Sequence, residues 1–275
     1  MSLIPSLNQS TVKQASAEEF VRICAGEGFA RVELRVENLE SYFRIHGAEE
    51  WQATLRDAGI EVASLNSLEE FSLVPDSSFG LIEEKTRFMC SLCRLLGTDL
   101  LVVVPSFRRA GLSSQEVVEI TVRNLERLSG VAEGFGVRLG FEPIGLPWYS
   151  VRSWEMGLEI VDQVDRDNLG LVADTWNFFL GENRLDDLVS TPIEKLWLVH
   201  VVDSPQPLPP NIKDGDRLLP GEGGLPLKEF FKALLQAGYS GAVSVELFNE
   251  ALWELPARDT IRRSFCALER LIADS

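Results

Sequence analysis

Short apolar runs alternate along the chain with longer stretches in which apolar residues recur every three or four positions. The short runs are typical of strands buried on both faces, and the longer stretches are typical of amphipathic helices. The pattern predicts eight strands, at residues 3–8, 29–35, 59–66, 100–105, 137–142, 169–174, 196–202 and 242–247. The helices predicted between them include residues 16–26, 50–58, 82–96, 115–135, 153–164 and 227–237.

This alternation predicts an α/β fold with a parallel sheet, and eight units predict a closed barrel. Glycines end several of the predicted helices, as at Gly26, Gly97 and Gly238, where the next strand follows closely. A doubly wound open sheet usually has a glycine-rich turn after its first strand, and residues 6–10 contain no glycine. We therefore expect residues 1–275 to form a single (β/α)8 TIM-barrel domain.

Four residues that can bind a metal stand at or just after the ends of four consecutive predicted strands: Glu142, Asp174, His200 and Glu246. The active site of a TIM barrel lies where its strands end, so the four side chains are expected to meet. Alone, each would more often be a solvated carboxylate or a hydrogen-bonded core histidine. Three carboxylates and one imidazole together suit one divalent cation, Mn²⁺, Mg²⁺ or Co²⁺, with Zn²⁺ tolerated.

A second group of residues is expected to bind substrate at the same mouth. Trp176 and Asn177 follow Asp174 directly, and Asp203 lies three residues after His200. Arg217 precedes a glycine-rich turn and could bind substrate oxygens, although its acidic neighbours leave a solvated role open. A bound sugar or polyol ketone would place two adjacent oxygens on the metal, which would polarise the carbonyl.

Composition narrows the classes of partner. The 26 basic and 42 acidic residues give a net charge of −16, which opposes binding to nucleic acid. The 4 cysteines show no zinc-finger spacing, and the sequence shows neither a signal peptide nor a membrane span, so we expect a cytoplasmic protein with a small-molecule substrate. A homo-oligomer remains an open alternative to a monomer.

A family resemblance is carried by residues 140–143, 166–174, 199–203, 216–223 and 243–248. These stretches resemble the xylose isomerase-like superfamily of sugar isomerases and epimerases, and within it the inosose isomerases of inositol catabolism. The resemblance implies a TIM barrel whose metal ligands are Glu142, Asp174, His200 and Glu246. It also implies that Glu142 and Glu246 act as acid and base, moving a proton between adjacent carbons of 2-keto-myo-inositol through an enediolate.

One position departs from the family. Asn177 stands where relatives commonly have a histidine, and asparagine cannot carry a proton near neutral pH. A non-catalytic sugar-binding relative therefore stays open as an alternative. An inosose dehydratase stays open because the same enediolate can expel a β-hydroxyl, and so does a ketose 3-epimerase on the same fold. An abasic-site endonuclease is disfavoured, because its cluster of three metals needs several histidines and this chain has 2.

Overall fold

The computed structural model describes residues 3–275, apart from the side chains of Glu40 and Ser41. Within these residues, eight parallel strands form a closed barrel in which each strand pairs with its neighbours in chain order and β8 pairs with β1. The strands are β1 Ile4–Asn8, β2 Arg31–Arg35, β3 Glu61–Leu68, β4 Leu100–Val103, β5 Arg138–Phe141, β6 Leu169–Asp174, β7 Leu196–Val201 and β8 Ala242–Val245. The predicted TIM barrel is confirmed.

Helices surround the barrel and follow its strands. They are α1 Ala17–Glu27, α2 Val36–Phe43, α3 Ala48–Ala58, α4 Asp76–Leu96, α5 Ser114–Glu133, α6 Trp154–Val164, α7 Thr175–Leu180, α8 Leu185–Ser190, α9 Leu227–Gln236, α10 Glu250–Trp253 and α11 Ala257–Ala273. None of these helices is long and apolar enough to cross a membrane. The six helices predicted from periodicity correspond to α1, α3, α4, α5, α6 and α9, with ends that differ by a few residues.

Local sequence explains where many of the helices begin and end. Ser113 caps α5 through a reciprocal pair of hydrogen bonds with Glu116, and Ser16 and Ser153 cap α1 and α6. Gly28 follows α1 with a φ of 106°, a left-handed conformation that a residue with a Cβ rarely adopts. These signals set the lengths of the helices and therefore the places at which the chain re-enters the barrel.

The barrel interior changes character from one end to the other. Near the start of the strands it is apolar, with Leu100, Val102, Val172 and Leu198 packed in one cluster. Further along, inward positions carry buried polar groups, among them Glu33 on β2. Because side chains alternate between the two faces of a strand, the polar positions at the strand ends converge on one mouth. The fold thus places an apolar cluster beneath a polar site.

Candidate metal centre

The four predicted ligands meet at the C-terminal mouth of the barrel. Asp174 and His200 are paired residues of β6 and β7, while Glu142 and Glu246 lie one residue beyond β5 and β8. One ligand atom from each of the four lies within 4.8 Å of the others, and all four residues are buried. Convergence of these side chains, predicted from the ends of the strands, is present in the structure.

Distances around the imidazole define the centre of the cluster. Nδ1 of His200 lies 3.3 Å from Oε2 of Glu246 and 3.6 Å from Oε2 of Glu142. This nitrogen is buried and has no hydrogen-bond partner of suitable geometry among the described residues. An unpaired nitrogen facing two carboxylates is the arrangement expected where a cation completes the site.

One oxygen of each carboxylate accepts a hydrogen bond from a neighbouring asparagine, and Oδ2 of Asp174 and Oε2 of Glu246 also accept from Arg217. Nδ2 of Asn177 donates to Oε1 of Glu142 at 2.9 Å, and Nδ2 of Asn8 donates to Oε1 of Glu246 at 3.0 Å. The backbone N–H of Asn177 donates to Oδ1 of Asp174 at 2.8 Å. These hydrogen bonds fix the carboxylates before any cation arrives, as outer-shell groups do in metal sites.

These residues fit a single divalent cation. Atoms held about 2.1 Å from one ion lie at most about 4.2 Å apart, so the cluster needs only a small contraction to bind. Three carboxylates and one imidazole, with no thiolate, suit Mn²⁺, Mg²⁺, Co²⁺ or Zn²⁺. Glu142, Asp174, His200 and Glu246 would hold the ion.

Crowding of negative charge alters the pKa values of the cluster. Burial, together with the neighbouring Glu142 and Asp174 carboxylates, raises the pKa of Glu246 to about 8, although His200 and Arg217 oppose the shift. Burial alone would lower the pKa of His200, but the carboxylates of Glu246, Glu33 and Glu142 raise it well above its ordinary value. In the absence of a metal, the cluster therefore holds protons at neutral pH.

Arg217 reaches into the same cluster. Its Nη1 lies 2.8 Å from Oδ2 of Asp174 and 3.4 Å from Oε2 of Glu246, and its Nη2 lies 3.3 Å from Oδ1 of Asp214. The side chain is buried, and the three carboxylates raise the pKa of its guanidinium despite burial. Arg217 therefore neutralises charge beside the candidate ligands and can donate hydrogen bonds to a molecule in the mouth.

A cavity of about 280 Å³ opens above the ligands. Besides Glu142, Arg217 and Glu246, its walls include Arg35, Asn66, Ser67, Glu69, Val104, Ile144, Tyr149, Asp214 and Phe248. Arg35 lies 5.7 Å from the ring of Phe248 and pairs with Glu37 and Glu69 at 3.3 and 3.7 Å. A larger cavity, of about 840 Å³, lies at the opposite end of the barrel and is far from the ligand cluster.

Three residues predicted to bind substrate have other contacts in the structure. Trp176 is fully buried beside Arg217, whose guanidinium lies 5.6 Å from its ring. Asp203 is buried and accepts hydrogen bonds from the backbone N–H groups of Ser204, Gly221 and Leu225, so it holds the loop after β7. Asn177 is buried and bonded to Glu142. Their contacts with substrate stay predictions, as does that of Arg217, which does line the cavity.

Three residues near the site were not predicted from the sequence, namely Glu33, Asn8 and Arg35. Glu33 accepts a hydrogen bond within the barrel from the far side of His200, at 3.1 Å. Asn8 ends β1 and Arg35 ends β2, the same position in the barrel as the predicted ligands, and this common position was the signal available. A charged residue inside a strand that is buried on both faces also needs a partner, which should have drawn attention to Glu33.

Fold and site together define an α/β-barrel protein with a candidate carboxylate–imidazole metal centre at the mouth of the barrel. The chain belongs to the xylose isomerase-like TIM barrel family, whose family model matches residues 21–270. This match covers most of the chain, including all four candidate ligands.

Comparison with individual proteins indicates the kind of chemistry. Inosose isomerase of Bacillus velezensis is 27% identical over 265 residues, which are 96% of this chain and 95% of that protein. A 3-dehydroshikimate dehydratase of Pseudomonas aeruginosa is 27% identical over 206 residues, 74% of this chain but 32% of that protein. The crystal structure of the IOLI protein with a bound zinc atom superposes with a TM-score of 0.94 at 26% identity, covering 98% of each chain. These similarities support a sugar isomerase on this fold.

Proposed function

We propose that this protein is a divalent-metal-dependent isomerase of a polyhydroxy ketone, with 2-keto-myo-inositol as its substrate. The observation that carries the proposal is the cluster of Glu142, Asp174, His200 and Glu246, in which the buried Nδ1 of His200 lacks a hydrogen-bond partner. The similarity to inosose isomerases over nearly the whole chain supports the choice of substrate.

Glu142 and Glu246 are the groups that would move the proton. Their strands, β5 and β8, are three apart around the eight-stranded barrel, so the two carboxylates enter the mouth from different sides. One would remove a proton from the carbon beside the carbonyl, and the other would return a proton to the former carbonyl carbon, while the proton of the adjacent hydroxyl passes to the former carbonyl oxygen. The raised pKa of Glu246 suits a group that carries a proton near neutral pH.

A bound metal would polarise the substrate carbonyl and stabilise the negative charge that develops on its oxygen. Arg217 would donate hydrogen bonds to substrate oxygens beside it, because its guanidinium lines the cavity. Asn177 and Asn8 would keep Glu142 and Glu246 oriented while a proton moves, since each donates to Oε1 of its glutamate while Oε2 lies near Nδ1 of His200.

The walls of the cavity favour a neutral substrate. Arg35 is paired with Glu37 and Glu69, and Arg217 is paired with Asp174 and Asp214. Neither guanidinium is therefore free to neutralise a carboxylate or phosphate on the substrate. Paired charges still present donors and acceptors to hydroxyl groups, which an inositol ketone has on every carbon but one.

Proton NMR in D₂O tests the proposal directly. The protein, loaded with Mg²⁺ and separately with Mn²⁺ or Zn²⁺ in trace-metal-free buffer, is incubated with 2-keto-myo-inositol. We expect metal-dependent deuterium uptake at the carbon beside the carbonyl, together with a new ketone isomer, and neither in the presence of a chelator. A dehydrated dione would instead indicate a dehydratase, and absence of exchange with every metal would contradict the proposal.

A further inference from the structure

A fully buried carboxylate lies beside Nε2 of His200, whereas Nδ1 of the same ring faces Glu142 and Glu246. Glu33 is an inward-facing residue of β2, and its ion-pair partner among the described residues is His200. Burying a carboxylate costs several kcal/mol unless its charge is well paired, so a residue of this kind inside a barrel calls for an explanation. An apolar side chain would fill the same space, as Leu100 and Leu198 do nearer the base.

Three donors meet on a single oxygen of Glu33. Oε2 accepts from Oγ of Ser64 at 2.6 Å and from Nδ2 of Asn66 at 2.9 Å, and it lies 3.1 Å from Nε2 of His200. Ser64 and Asn66 come from β3, the strand next to β2, so two neighbouring strands fix the position of this oxygen. An ionised carboxylate has no proton to donate, so Nε2 of His200 is the donor in this contact, as Ser64 and Asn66 are in theirs.

This arrangement determines which nitrogen of His200 carries the proton. Because Nε2 donates to Glu33, the neutral imidazole has its lone pair on Nδ1, the nitrogen that faces Glu142 and Glu246. The same hydrogen bond fixes the plane of the ring and makes Nδ1 a more basic nitrogen, which binds a cation more strongly.

We propose that Glu33 is a positioning residue of the metal centre, which selects the tautomer of His200 and orients its ring so that Nδ1 binds the cation. The inference rests on the metal site of the proposed function and not on the identity of the substrate. It makes Glu33 more than a structural residue of the barrel, because its loss should change metal binding and the state of one identified imidazole.

The chain offers a simple spectroscopic test, since its 2 histidines are His46 and His200. Protein labelled with ¹⁵N at histidine and loaded with diamagnetic Zn²⁺ gives two imidazoles, and His46, which is partly exposed on the surface, serves as the internal reference. In the unmodified protein we expect Nε2 of His200 to be protonated, with its proton far downfield as in a charge-assisted hydrogen bond. Zn²⁺ affinity is measured in parallel by competition with a chelator.

Glu33→Gln keeps the shape of the side chain and removes its charge. If the glutamine oxygen faces His200, the hydrogen bond weakens; if the amide NH₂ faces it, the proton is driven to Nδ1 and blocks the metal. We therefore expect the Nε2 proton to move upfield or disappear, and the Kd for Zn²⁺ to rise by about 10- to 100-fold. The matched control is Glu61→Gln on β3, where an exposed glutamate pairs with Arg31 and neither readout should change.

An unchanged Kd in Glu33→Gln would overturn the inference, and so would a weaker Kd with an unmoved Nε2 proton, because the loss would then come from general destabilisation. If Glu33→Gln does not fold, Ser64→Ala removes one donor to Oε2 and should move both readouts in the same direction by a smaller amount; no change would again refute the inference. Neither readout uses substrate, so failure to turn over 2-keto-myo-inositol would refute the proposed function without affecting this test.

Discussion

Metal binding should depend steeply on pH. A cation binds the ionised carboxylate and the neutral imidazole, whereas burial and neighbouring carboxylates raise the pKa of Glu246 to about 8 in the absence of metal. The pKa of His200 is raised as well, by Glu246, Glu33 and Glu142. Protons must therefore leave both groups when the metal enters, and lowering the pH must weaken binding.

The magnitude follows from Glu246 alone. At pH 6, two units below its pKa of about 8, roughly one site in a hundred has this carboxylate ionised. At pH 8 about half of the sites have it ionised, so apparent affinity should fall about 50-fold, or by about 2.3 kcal/mol, between pH 8 and pH 6. Because release of the His200 proton adds to this effect in the same direction, log Kd should change by between one and two units per pH unit.

Electron paramagnetic resonance of free Mn²⁺ measures this dependence in anaerobic buffers between pH 6 and pH 8.5. The glutamine of Glu246→Gln cannot ionise, so this variant should release about one proton fewer on binding Mn²⁺. Its log Kd should therefore change less steeply with pH, in addition to its weaker affinity. Glu61→Gln, an exposed glutamate far from the cluster, should retain the slope of the unmodified protein. A Kd that is flat over this range would refute the reasoning, because it would mean that the cluster holds no proton at neutral pH.

Substitutions at three residues test their individual roles. His200→Ala should lower metal occupancy, measured by elemental analysis after dialysis, by about 10-fold or more, and full occupancy would remove His200 from the ligands. Glu246→Gln should lower turnover in the NMR assay about 100-fold or more, because it disturbs both metal binding and proton transfer; activity within a few fold would contradict the acid–base assignment. Asn177→Asp replaces the donor 2.9 Å from Oε1 of Glu142 with a second carboxylate, so turnover at pH 7 should fall about 10-fold, further than in Asn177→Ala. An equal loss in the two variants would mean that like-charge repulsion does not act there.

The barrel and its four candidate ligands could be predicted from sequence because both follow from periodicity. A strand buried on both faces is recognisable as an apolar run, and the residue at its end must reach the mouth of the barrel whatever the rest of the chain does. The approach of Asp174 to His200 could be predicted from the order of the strands alone, and the two residues are paired across β6 and β7 in the structure.

Hydrogen-bond partners could not be predicted in the same way. Asn8 and Glu246 are separated by 238 positions, and Glu33 and His200 by 167, so no local pattern links them. Arg31, Glu33 and Arg35 alternate with apolar residues along β2, which is also the pattern of a strand with one face in water. Asp203 accepts hydrogen bonds from the backbone of Gly221 and Leu225, which the sequence did not indicate, and its predicted contact with substrate stays a prediction.

The balance of charge in the mouth explains how the candidate metal ligands and Arg217 depend on each other. Three buried carboxylates, Glu142, Asp174 and Glu246, would repel one another strongly without positive charge nearby. Arg217 supplies one positive charge and a divalent cation would supply two, which together offset the charges of these three carboxylates, while Glu33 on the far side of His200 adds one further negative charge. Without the cation, the same balance has to come from protons, and the raised pKa values of Glu246 and His200 are the result. A neutral ketone adds no charge to the loaded site, whereas an anionic substrate would add a negative charge that no unpaired guanidinium in the cavity meets.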